Sequence, residues 1–113
     1  MPEYRTLHDI SVEYFNAHPD EIDTFLNEIF ASYTEDGDSA ALLSALRVIA
    51  RAKGISAMAE KIGMTRQGLQ KALSSRGNPR LDSINAIMRA MGYQLIPYPL
   101  DATPGGYPSN PSY

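Results

Sequence analysis

Residues 56–73 constrain this chain more than any other stretch, because they specify two short helices joined by a tight corner. Met58, Ala59 and Ile62 fall on one face of the first helix, with Ser56 expected to cap its start through the side-chain hydroxyl. Gly63 supplies the left-handed backbone that ends a helix without a Cβ clash, and Met64 plugs the corner. Thr65 is expected to cap the second helix, whose apolar face is Leu69, Ala72 and Leu73. Gly68 lies inside that helix, where it is about 1 kcal/mol worse than alanine; close packing against the preceding helix is the expected reason. Arg66, Gln67, Gln70 and Lys71 are left on the opposite face. They offer donors and no acidic group, which suits base edges and phosphates. The pattern therefore reads as a helix-turn-helix whose second helix enters a DNA major groove.

A net charge of −3 conflicts with that reading until the chain is divided. Residues 1–38 hold ten acidic groups and only Arg5 as a base, a formal charge of −9. Residues 39–113 hold nine Lys and Arg against Glu60, Asp82 and Asp101, a formal charge of +6. An acidic segment joined to a basic one suggests two different partners. The length of 113 residues suits one modest core. With no Cys, neither a disulfide framework nor a thiolate metal site can form. No apolar run approaches the ~20 residues that span a bilayer, and the N-terminus lacks a secretory pattern, so a cytoplasmic protein is expected.

In chain order, residues 1–8 have no clear period and are expected to fray. Asp9 is expected to cap a short helix carrying Ile10, Val12, Tyr14 and Phe15. His18-Pro19-Asp20-Glu21 starts the next helix, proline at its first position and acids at the positive end of its dipole. Ile22, Phe25, Leu26, Ile29, Phe30 and Tyr33 form its apolar face, and residues 35–38 break it. Asp38 or Ser39 caps a third helix running to about Lys53, with Leu42, Leu43, Leu46, Ile49 and Ala50 buried and Arg47 and Arg51 solvated. After the helix-turn-helix comes a polar, basic loop over residues 74–80. A last helix, Leu81 to Met91, turns Leu81, Ile84, Ile87, Met88 and Met91 inward. Tyr93-Gln94-Leu95-Ile96 alternates weakly and allows a short strand, which Pro97 and Pro99 keep from being central. With nothing local to pair with, such a strand suggests exchange across a dimer. Residues 97–113 read as a Pro-rich, disordered tail.

These residues carry a family resemblance. Ala59, Gly63, Met58, Ile62, Met64, Leu69 and Ala72 resemble the Xre/Cro type of phage-repressor helix-turn-helix. The runs 35–43, 48–54 and 68–74, with Gly77-Asn78-Pro79, are similar to HigA-like probable addiction-module antidotes, the antitoxins of bacterial type II modules. The resemblance covers about residues 9–95. It implies an all-α, five- to six-helix, lambda-repressor-like DNA-binding domain. It also implies a RelE/ParE-like toxin as partner and autorepression of a shared promoter. The domain reading is an acidic helical segment over 1–38, a helix-turn-helix domain over 39–96 and a tail over 97–113.

Thr65, Arg66, Gln67, Gln70, Lys71, Ser74, Arg76 and Asn78 are the candidate DNA contacts. Arg pairs bidentately with guanine and Gln with adenine, while Ser74, Arg76 and Asn78 lie past the helix end, where backbone contacts position without reading sequence. One monomer offers too small a reading surface for tight binding, so a homodimer on a near-palindromic duplex is expected. For a basic toxin, Asp20, Asp23 and Glu28 offer complementary charge, and Tyr14 and Phe15 offer apolar contact. Phe25, Leu26, Ile29 and Phe30 suit the core better. No cofactor or metal is expected, since His8 and His18 have no ligand spacing, and no nucleophile elbow is present, so an enzyme is not expected. The competing readings are a free-standing Xre-type repressor without a toxin, and an interaction protein that has lost DNA binding.

Overall fold

The computed structural model of the chain describes residues 6–74 and 78–100. These residues form six α-helices and one 3-10 turn, an all-α fold. Helix α1 spans Leu7–Ala17; the turn Pro19–Glu21 leads into α2, Ile22–Asp36; α3 spans Ser39–Lys53, α4 Ile55–Ile62, α5 Arg66–Ala72 and α6 Leu81–Met91.

Helix α1 starts earlier than its sequence pattern suggests. Thr6 is the N-cap, its hydroxyl accepting from Asp9 N–H at 3.0 Å, and Asp9 returns the bond by accepting from Thr6 N–H at 3.2 Å. Asp9 is thus the third helical residue of a capping box rather than the cap itself. Thr6, Leu7 and His8, expected to fray, form the helix start, while residues 1–5 lie outside the described residues. Asp38 caps α3 as expected, accepting from Ala41 N–H. Ser56 does not cap α4. Gly54, at φ 103°, closes α3 and opens α4 in one residue, so the helix has already begun at Ile55.

Both α1 and α2 pack on α3, α3 packs on α4, and α4 packs on α5 and α6. One core runs through the described residues, with Leu46, Ile49, Leu69, Leu73 and Ile87 at its centre. Ile22 and Leu26 of the acidic segment belong to the same cluster. Phe15, Phe25, Ile29, Phe30, Ile84 and Leu42 pack around it half-buried.

At the C-terminal end one expectation fails, and a possible strand is not formed within the single chain. Leu81 is 78% exposed, although it continues the inward stripe of α6 in phase. It is the first residue of the helix and lines an open surface hollow with Leu95, which is exposed as well. Residues 93–99 form no strand; Leu95 and Ile96 stay exposed. Pro97 and Pro99 lack the donors a ladder needs, and no other strand lies among the described residues to pair with. The tail from residue 101 onward lies outside the described residues.

Candidate functional site

The corner between α4 and α5 is built from backbone hydrogen bonds. Gly63 adopts φ 72°, and the N–H groups of Gly63 and Met64 reach the carbonyls of Glu60 (3.3 Å) and Ala59 (2.9 Å). The second bond closes the six-to-one loop that ends helices at a left-handed glycine. Met64, half-buried against the core, fills the angle. Thr65 is extended, and its hydroxyl accepts from Gly68 N–H at 2.9 Å, so the expected cap forms. Gly68 is not pressed against the preceding helix. A Cβ built there would meet the Thr65 hydroxyl oxygen at 3.0 Å and the Met64 methyl at 3.8 Å. What crowds the position is the helix's own cap.

Leu69 and Leu73, fully buried, key α5 into the core. Their inward direction turns Arg66, Gln67 and Lys71 to solvent, while Gln70 is half-buried at the edge. Thr65 is exposed, its hydroxyl already engaged as cap. Past the helix, the half-buried Ser74 donates its hydroxyl to the Lys71 carbonyl at 2.9 Å, and Asn78 is exposed. Arg76 lies outside the described residues. The face therefore brings two cations and a free amide together over the two turns of α5, and the fold places no acidic residue on that helix.

Sequence reasoning missed what stands behind this face. Arg47 and Arg51 on α3, expected to be solvated, both have partners, although Arg51 stays exposed while Arg47 is half-buried. Arg47 Nη1 donates to the Leu73 carbonyl at 3.4 Å, and Arg51 Nη1 meets Asp9 Oδ1 at 3.3 Å. Asn16 Nδ2 donates to the Ala52 carbonyl at 3.0 Å, tying α1 to the end of α3. These partners lie 26 to 42 residues apart in sequence, beyond the reach of any local pattern. The one legible signal was the spacing of four that puts both arginines on one helix face. His8 sits beside them with Nε2 buried and unpartnered. Burial, then the charges of Arg47 and Arg51, hold its imidazole below the usual histidine range, against a smaller opposing effect of Asp9.

The acidic segment separates its aromatics. Phe15 turns inward onto Phe25, their ring centres 4.6 Å apart. Tyr14 remains outside, stacked on His18 at 4.2 Å and donating its hydroxyl to Glu21 at 2.6 Å. Asp20 and Glu28 are exposed. Asp23 is exposed too, but it accepts from the Tyr93 hydroxyl across the molecule. Burial, followed by that hydrogen bond and the Asp23 charge, pushes Tyr93 up to about 12.

No helix among the described residues is long and apolar enough to cross a membrane. The pattern defining a family described as "probable addiction module antidote protein" matches residues 6–98. A protein of Haemophilus influenzae, named only as uncharacterized, is 38% identical over 89 residues, covering 79% of this chain and 88% of that protein. No solved structure matches the chain.

Proposed function

Because this chain belongs to the family of probable addiction module antidote proteins, we propose that it is the antitoxin of a type II toxin–antitoxin module, binding its toxin directly and repressing its own promoter. The antidote role is the family's own description; the toxin class and the DNA target go beyond it. The observation that carries the DNA half is the construction of α5: a Thr65 cap and buried Leu69 and Leu73 aim Arg66, Gln67 and Lys71 outward together. In the bound state Arg66 and Gln67 lie near the groove floor, and each good base pairing contributes roughly 1–3 kcal/mol of discrimination. Lys71 reaches a base or phosphate further along. Thr65, Gln70, Ser74 and Asn78 flank the groove and position the domain, and Arg76 is a further candidate backbone contact. A homodimer of the HigA-like, Xre-type kind would place two such helices about 34 Å apart on a near-palindromic site.

The acidic segment, residues 1–38, supplies the second partner surface. RelE-like toxins bind RNA and are typically basic, and Asp20, Asp23 and Glu28, with the exposed Tyr14, would complement such a surface. Phe15 contributes by holding α1 against α2.

The test is co-expression with the product of the adjacent reading frame, followed by a pull-down and a gel shift on the chain's own promoter duplex. Arg66→Ala with Lys71→Ala should abolish the shift and leave the pull-down intact. Asp20→Lys with Glu28→Lys should do the reverse. Both activities lost together in folded protein would overturn the division into two surfaces. A promoter shift with no captured neighbour would favour the free-standing repressor.

A further inference from the structure

We infer that Arg47 is a positioning residue for the reading helix: through the Leu73 carbonyl it fixes the exit of α5 from behind, without itself touching DNA. This rests on the reading of α5 as the DNA-contacting helix. Leu73 is the C-cap of α5, and Arg47 Nη1 reaches its carbonyl from α3 at 3.4 Å. A cation at a helix C-terminus satisfies an orphan carbonyl and complements the negative end of the helix dipole. Helix α5 has seven residues; buried Leu69 and Leu73 seat it on the core, and each of its ends has a hydrogen bond of its own. The start is held by Thr65 on Gly68 N–H and the exit by Arg47 on Leu73.

Arg47 shares a face of α3 with Arg51. It is half-buried, and its neighbour one turn along, Arg51, is drawn to Asp9 of α1. Asp9 in turn is fixed by the Thr6 capping box. His8, its Nε2 buried and unpartnered, feels the charge of both guanidiniums. One face of α3 thus grips α1 through Arg51 and α5 through Arg47. The same pair of arginines would otherwise read as a basic patch for phosphates, and the two roles are separable by salt.

A residue that contacts phosphate lowers the salt slope of binding by about one when removed. A residue that only aims the helix lowers affinity at every salt concentration and leaves the slope alone. Full-length wild type, Arg47→Met and Arg47→Lys are titrated onto the promoter duplex at several salt concentrations, with amide exchange read at Leu73 and Ser74. The expected result for Arg47→Met is about tenfold weaker binding, as for the loss of one charge-assisted hydrogen bond. Its salt slope is unchanged, exchange at Leu73 and Ser74 is faster, and Arg47→Lys recovers part of the loss. A slope reduced by about one would make Arg47 a direct contact and overturn the proposal. So would unchanged affinity with unchanged exchange. Wild type that fails to bind the duplex at any salt overturns the DNA reading itself, an outcome distinct from both.

Discussion

The crowding at Gly68 makes a quantitative prediction about Thr65. Removing the Thr65 hydroxyl deletes the bond to Gly68 N–H, 2.9 Å long and solvent-exposed, and Thr65→Ala should cost about 1 kcal/mol. Replacing Gly68 by alanine should gain up to about 1 kcal/mol of helix propensity. The new methyl, however, would stand 3.0 Å from the Thr65 hydroxyl oxygen, tighter than carbon and oxygen normally approach without bonding. The hydroxyl must give way, so the gain in propensity is offset by a weakened cap. Gly68→Ala alone should then fall within about 0.5 kcal/mol of wild type, as the difference of those two effects. In the Thr65→Ala background nothing opposes the methyl, and the same substitution should stabilise by close to the full ~1 kcal/mol. The coupling between the two positions is therefore about 1 kcal/mol, within the range for residues in direct contact. Urea unfolding of the four proteins, followed by far-UV circular dichroism, measures it. For a domain of this size that coupling corresponds to roughly 4–8 °C in midpoint. If Gly68→Ala stabilised equally in both backgrounds, methyl and hydroxyl would not compete, and the account of why glycine stands there would be refuted.

Leu69→Ala should lower unfolding stability by about 2–5 kcal/mol, because the side chain is fully buried and the core can collapse only partly around the loss; urea midpoints check this, and a change under 1 kcal/mol would place Leu69 outside the core. Stability should also fall as pH drops below 6.5. Burial and the two arginines hold His8 below that value in the folded state, so the unfolded chain takes up the proton first and acid pulls the equilibrium towards it. The His8 contribution is complete above 6.5 and is lost progressively as pH falls towards the depressed folded value. Asp9 enters only lower, since Thr6 holds its carboxyl below the usual 3.8. Replacing His8 by glutamine should flatten the profile between pH 7 and 5, as read by thermal midpoints; an unchanged slope would show that another group carries it.

Much of the fold was legible because helix ends are written locally. Asp38, Gly54, Gly63, Thr65 and Gly92 each mark a boundary through their own backbone or side-chain chemistry, and the helices end or begin there. Where two signals competed, the nearer one lost. Asp9 and Ser56 are good caps, but Thr6 and Gly54 already occupied the positions. Periodicity placed the stripe of α6 correctly and still misjudged Leu81, since phase says which way a side chain points and not whether another element is there to receive it. The outward face of α5 was likewise legible from period alone. Its rear support was not, because Arg47 to Leu73 and Arg51 to Asp9 are long-range contacts made by residue types that usually stay solvated. Tyr14 and Phe15, adjacent in sequence, illustrate the same limit: one faces out and the other joins Phe25.

Gly54 has a consequence for how such a protein can change over time. One residue serves as the end of α3 and the start of α4. Its φ of 103° is closed to side chains, although a Cβ there would meet nothing within 4 Å. The restriction is thus on backbone torsion and not on space. Lengthening this joint would swing α4, and with it α5, away from the helix that also supports α1 and α2. Substitution of exposed side chains leaves that joint alone, whereas any change at Gly54 alters how α4 sits on α3.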